Sequence, residues 1–127
     1  MKKQGLPRPT DSELQILQEL WKLGSGTVKQ VHEALGENTA YTTILKLLQI
    51  MTEKGLVNRD EALRAHIYHP VFSEDETQQS LVRGLLQKAF GGSSARLVMQ
   101  ALSSQSISSM DLAKIRELIQ QLEERKS

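Results

Sequence analysis

The chain has 127 residues, 39% of them apolar and 24% charged, which suits one ordinary domain or two very small ones and excludes a disordered chain. Its 16 Lys and Arg face 15 Asp and Glu, a formal net charge of +1. That balance excludes a histone-like protein and an acidic tail protein, but it leaves DNA binding open because the field that matters is local. The lack of cysteine excludes disulfides, thiolate zinc sites, cysteine nucleophiles and iron–sulfur clusters. No run approaches the roughly 18 apolar residues of a membrane span. The opening residues Met1–Thr10 carry charge but no apolar signal core, so a cytoplasmic protein without a membrane role is expected.

Three short helices fill the first 55 residues, each stopped by glycine. Thr10-Asp11-Ser12-Glu13 fits a capping box, and Leu14, Ile16, Leu17, Leu20 and Trp21 follow as an apolar stripe ended by Gly24. Thr27-Val28-Lys29-Gln30 is a second capping box. It is followed by Val31, His32 and Leu35 at helical spacing and by Gly36. A third helix is predicted from about Ala40 to Lys54, with Thr39 as its cap and Gly55 as its stop. Leu56–Arg59 and His66–His69 read as two short strands, with Pro70 ending the second. The link Asp60–Ala65 lacks Gly and Asn, so a loop looser than a two-residue hairpin is expected. Three helices and a small hairpin are the order of a winged helix-turn-helix, here residues 1–70.

Residues 71–127 read as helical. Ser73-Glu74-Asp75-Glu76 is a further capping box, and Leu81, Val82, Leu85, Leu86 and Ala89 form a stripe ended by Gly91-Gly92. A short segment from Ala95 to Leu102 carries Leu97, Val98, Ala101 and Leu102. After a serine-rich loop, Ser103–Ser109, the last helix carries Leu112, Ile115, Leu118, Ile119 and Leu122 and ends in the charged run Glu123–Lys126. A unit of this size rarely draws more than about 3–5 kcal/mol from its own core. Its apolar stripes are nonetheless wide, so burial against a second copy is expected, through Leu81, Leu85, Leu97, Leu112, Ile115, Ile119 and Leu122. The alternative is that these helices pack back on the first domain. The fold class is therefore mainly α with a small β-hairpin: a winged helix-turn-helix followed by a helical dimerisation domain.

The third helix divides cleanly at 100° per residue. Ile44, Leu47, Leu48 and Met51 share one face; Thr42, Lys46, Gln49 and Glu53 share the opposite one, flanked by Thr43, with Leu45 and Ile50 on the shoulders. A helix in the DNA major groove needs such an anchored inner face and hydrogen-bonding side chains near its N-terminus. An ordinary solvated helix face has the same composition, and one lysine is a thin basic patch. Residues 1–70 carry net +1 and residues 71–127 net 0, so few phosphate contacts per subunit are expected. Arg64 on the wing is a candidate minor-groove or phosphate contact, and Lys2, Lys3 and Arg8 form a candidate arm. His66 and His69 have opposite strand parity and His32 lies on an apolar stripe, so no metal site is expected. No nucleophile motif, phosphate loop or dinucleotide fingerprint is present, so neither catalysis nor a cofactor is expected.

Pro9-Thr10-Asp11-Ser12-Glu13-Leu14-Gln15-Ile16-Leu17 with Leu20-Trp21, Ala40-Tyr41-Thr42-Thr43-Ile44, and Glu53-Lys54-Gly55-Leu56-Val57 resemble the penicillinase repressor (BlaI/MecI/CopY) family. So do the wing end Arg64–Pro70, and Phe90-Gly91-Gly92-Ser93 followed by Leu97-Val98. The resemblance implies a homodimeric repressor whose winged helices each read half of a palindromic DNA operator and block transcription sterically. It places Thr42 and Thr43 in the major groove with Lys46 nearby, Arg64 on the wing, and Tyr68 against the DNA backbone; Gln49, from the helix-face reading, is a further candidate DNA contact.

Three departures stand out. The copper-responsive members carry C-terminal cysteines and this chain has none. The antibiotic-responsive members are cut between Asn and Phe after the Gly-Ser turn, where this chain has Gln100-Ala101, so an inducing protease would need a different recognition sequence. Leu45 stands where the family is often polar, which implies a different operator preference. The near-neutral charge and the apolar Leu45 and Ile50 also fit a winged-helix protein-interaction module that does not bind DNA.

Overall fold

The computed structural model describes residues 6–36, 38–62 and 64–126. Lys2 and Lys3, half of the candidate arm, lie outside them. The element order is α1 (Asp11–Leu23), α2 (Val28–Leu35), α3 (Tyr41–Lys54), β1 (Val57–Asp60), β2 (Ile67–Pro70), α4 (Glu74–Ala89), α5 (Ser94–Ser104) and α6 (Ser109–Lys126). The chain divides into two compact units, Met1–Arg83 and Gly84–Ser127.

The first unit is a winged helix. Its helices start where side chains satisfy the free N–H groups of a first turn. The Thr10 Oγ1 accepts from the Glu13 amide at 3.2 Å while Glu13 Oε1 accepts from the Thr10 amide at 2.8 Å. Thr27 and Gln30 repeat the exchange at 3.2 and 2.9 Å. The third helix differs from expectation: Thr39 does not cap it, Ala40 occupies the cap position, and no side chain bonds its first turn. Its end is as expected. Gly55 adopts the left-handed conformation, φ 82° and ψ 18°, and its amide reaches back to the Met51 and Thr52 carbonyls.

Ile16, Leu17, Leu20, Val28, Val31, Ile44, Leu48, Met51, Leu56, Val57 and Tyr68 form one buried cluster, with Leu14, Trp21, Leu35, Leu45 and Leu47 packed on it. The strands are antiparallel, pairing Val57 with Pro70 and Asp60 with Ile67. Each therefore sits one residue later than the sequence suggests. Pro70 belongs to β2 rather than stopping it, which a two-stranded ribbon tolerates because every strand is an edge. A third chain segment joins this ribbon: Gly26 and Tyr68 exchange backbone hydrogen bonds at 3.1 and 2.8 Å. A Cβ at Gly26 would come within 3.3 Å of a methyl of the exposed Leu23 side chain, which would have to give by a few tenths of an ångström.

The second unit has well-formed helix ends but no interior. Gly91 and Gly92 take positive φ after α4. Ser93 accepts from the Arg96 amide at 3.2 Å and Ser108 from the Asp111 amide at 3.1 Å. The α5 helix runs one residue earlier and two later than the segment expected from the sequence. Neither α5 nor α6 contains a buried residue. Among the described residues no helix is long and apolar enough to cross a membrane.

Candidate nucleic-acid interface

The inner face of α3 is fixed by Ile44, Leu48 and Met51, none of which has exposed surface. That anchorage turns Thr42, Thr43, Lys46, Gln49 and Glu53 outward, all of them exposed. The amphipathic division read from the sequence is therefore realised. Lys46 and Arg64 have no ion-pair partner among the described residues. Where α1 and α2 close their first turns with threonine side chains, α3 leaves its N-terminal amides uncapped beside Thr42 and Thr43. An uncapped, exposed helix N-terminus favours an anionic group.

A groove of about 430 Å³ lies between α2, the start of α3 and the wing. Lys29, Arg64 and His66 are among its lining residues, with Tyr41 and Leu45 adding apolar surface. Tyr41 is 47% exposed and meets His32 edge-on, with ring centroids 5.8 Å apart. Sequence reasoning missed Lys29, Tyr41 and His66 as members of this surface. Each sits on a different element, and no spacing along the chain announces their proximity.

Tyr68 requires a correction. Its side chain is 1% exposed and lies in the core, so it has no surface to offer a DNA backbone. The alternation of β2 turns residue 68 inward, and its main chain is already committed to Gly26. On the wing, Arg59 Nη2 lies 2.7 Å from Glu61 Oε1, and His66 Nε2 lies 4.0 Å from the same oxygen. Glu61 thus pairs with Arg59, whereas Arg64 has no ion pair among the described residues. His69 pairs with Asn58 across the ribbon and is exposed.

The far end of α3 is held by an ion pair the sequence did not reveal. Lys54 Nζ donates to Glu13 Oε1 at 2.6 Å and to the Arg8 carbonyl at 3.1 Å. Burial pulls the Glu13 pKa upward. The hydrogen bonds from Lys54 and Thr10 and the lysine charge outweigh it, and the carboxyl sits below its usual value. The contact ties the last turn of α3 to the first turn of α1 and draws in the chain at Arg8. Arg8, the described part of the candidate arm, is thereby placed at the end of α3 opposite Thr42 and Thr43.

Of the expected dimerisation residues, Leu85, Leu112, Ile119 and Leu122 of the second unit are exposed and Leu97 and Ile115 half-buried, while Leu81, on the part of α4 that belongs to the first unit, is also half-buried. Gln100 and Ala101 are exposed within the regular helix α5.

Comparison with known proteins gives a consistent picture. The model of the family described as penicillinase repressor matches residues 9–121. The transcriptional regulator BlaI of Mycobacterium tuberculosis is 41% identical over 87 residues, covering 66% of this chain and 60% of that protein. The chain thus spans less than two thirds of that relative's length. The penicillinase repressor of Bacillus licheniformis is 27% identical over 124 residues, 96% of this chain and 94% of that protein. The solution structure of the DNA binding domain of the repressor BlaI is similar with a TM-score of 0.50 and 28% identity, covering 60% of this chain and 93% of that domain.

Proposed function

This chain belongs to the penicillinase repressor family, and on that premise we propose that it is a transcriptional repressor that binds a palindromic DNA operator as a homodimer. The family is one of repressors, not enzymes. The observation that carries the reading is the outer face of α3. Exposed Thr42, Thr43 and Lys46 stand at a helix start without a side-chain cap, on the same unit as the exposed wing residue Arg64.

In this reading α3 lies in the major groove. The hydroxyls of Thr42 and Thr43 bond base edges or phosphates, and their methyls can meet a thymine methyl. Lys46 and Gln49 lie one and two turns further along the same face. Arg64, with Lys29 across the groove, holds the backbone or enters the minor groove. The small charge excess means that one unit binds weakly. Affinity then comes from placing two units on two half-sites about one helical turn, or a multiple, apart. Residues on α4, α5 and α6 supply the pairing by burying Leu81, Leu85, Leu97, Leu112, Ile115, Ile119 and Leu122 against a second copy. Occupying DNA that overlaps a promoter blocks transcription sterically. Residues 1–70 are the reading part and residues 71–127 the pairing part, acting in the cytoplasm. Gln100-Ala101 replaces the Asn-Phe cleavage pair of the antibiotic-responsive members, so release by proteolysis would require a protease of different sequence preference.

Selection of bound duplexes from a random DNA pool, followed by affinity of the winner at two salt concentrations, tests the reading. A palindromic winner whose binding weakens steeply with salt is the expected result. No enriched sequence, or binding indifferent to salt, would overturn it. That outcome would favour a protein-interaction module, for which the exposed Ile50 and the half-buried Leu45 on α3 would be the docking face.

A further inference from the structure

Only Val71, Phe72 and Ser73 separate the last residue of β2 from the first of α4. A segment of this kind ordinarily serves as a pliable joint, yet each of its residues is pinned. The Val71 amide donates to the Leu56 carbonyl at 3.0 Å. The Phe72 carbonyl accepts from the indole Nε1 of Trp21 at 3.1 Å, across 51 residues of chain. Ser73 and Glu76 exchange capping bonds at 2.9 and 3.0 Å, and the Ser73 carbonyl accepts the Thr77 amide at 3.0 Å. Thr77 is the buried residue of α4. Trp21 is itself held, because it packs on the core cluster that contains its neighbours Leu17 and Leu20.

We infer that the Trp21–Phe72 hydrogen bond fixes the direction in which α4 leaves the winged helix, and so sets the half-site spacing that the dimer accepts. The inference rests on the dimeric operator-binding reading. The lever is long enough to matter. At about 1.5 Å per residue the 16 residues of α4 extend about 24 Å. A swing of about 10° at its start displaces its far end by about 4 Å, more than the roughly 3.4 Å that separates successive base pairs along a strand. Each added base pair also turns the second half-site by about 35° around the duplex. A firmly held α4 would satisfy one spacing; a loosened one would satisfy several. Trp21 would then be a positioning residue that touches no DNA.

The test uses the whole 127-residue chain and a panel of duplexes in which the selected half-sites are moved apart or together by one and two base pairs, with a single half-site as control. The wild type is expected to lose about tenfold or more in affinity for a one-base-pair change. Trp21→Phe keeps the apolar ring and removes the N–H donor. It should bind the single half-site within about twofold of wild type, while its penalty for altered spacing shrinks to about threefold or less. Two glycines inserted between Phe72 and Ser73 leave the indole bond in place and free α4 beyond it; the same flattening is expected. A Trp21→Phe spacing profile that matches wild type, with half-site binding intact, would overturn the inference. So would flattening by the insertion alone. A wild type that binds single half-sites and palindromes equally at every spacing would remove the dimeric reading, and this inference with it.

Discussion

Ile16 in α1 and Ile119 in α6 occupy equivalent places in their local patterns. Each lies on an apolar stripe of a helix whose first turn is closed by a threonine or serine side chain. Ile16 has no exposed surface, whereas Ile119 is 47% exposed. The contrast extends to the whole of each unit. In the first, three helices and a ribbon converge on one cluster; in the second, α5 and α6 have no buried residue between them. A periodic apolar stripe says that a face will be covered and is silent about what covers it. Within residues 1–83 the chain covers its own faces. In residues 84–127 the described stripes on α5 and α6 stay without a fully buried residue.

The comparison can be broken most severely at α6. Ile119→Asp should leave the first unit folded and abolish pairing, because a carboxylate would be buried without a partner. On the dimeric reading, sedimentation should then report a monomer, and affinity for a palindromic duplex should fall by about 10²–10⁴ as the second half-site loses its high effective concentration. Wild-type affinity in a monomeric variant would refute the division of labour. On the other side of the comparison, Ile44→Ala opens a cavity under α3 and should cost about 2–5 kcal/mol in the thermal or denaturant unfolding of the first unit. Leu118→Ala, at a position already 52% exposed, should change the stability of a dilute chain far less.

Smaller effects sharpen the reading face. Thr43→Ala should cost about 1–3 kcal/mol on the selected operator and relax preference at one base position. Lys46→Ala should weaken all sequences alike and, in a dimer that loses one contact per subunit, reduce the salt slope by about 2. Binding to cognate and scrambled duplexes at several salt concentrations separates the two. The smallest effect concerns Glu13, whose carboxyl is held below its usual value of 4.5 in the folded chain. A lowered folded-state pKa means that the ion pair stabilises above the unfolded value and that this contribution disappears as pH falls through the folded one. Glu13→Gln should therefore melt below wild type at neutral pH, and the two should converge as pH drops below 4.5.

Much of the first unit was legible because its signals are local. Capping boxes at Thr10 and Thr27, stops at Gly24 and Gly55, and the inner face of α3 each depend on residues within a few positions of one another. Contacts formed between distant segments left no such trace. Glu13 reads as a capping residue and is that, but its pairing with Lys54 spans 41 residues. The family resemblance places Tyr68 against DNA; in the fold it joins the core cluster, and its main chain bridges to Gly26 in the α1–α2 turn, 42 residues away. The groove between α2, α3 and the wing is hidden for the same reason. Leu45, read as a leftover shoulder, partly packs on the core and partly lines that groove.

The absence of an interior in α5 and α6 has a consequence for how the protein is made. The first unit leaves the ribosome first and can close its core from its own residues. At about 5–20 residues per second, Gly84–Ser127 follow over roughly 2–9 s. When they emerge they display Met99, Met110 and Leu118, each more than half exposed. Until a second chain arrives, this is adhesive surface on a newborn molecule. Chains growing side by side on one message supply each other at high local concentration. On the dimeric reading, pairing at the site of synthesis would shorten that interval, and the amount of competent repressor would rise more steeply than the amount of chain made.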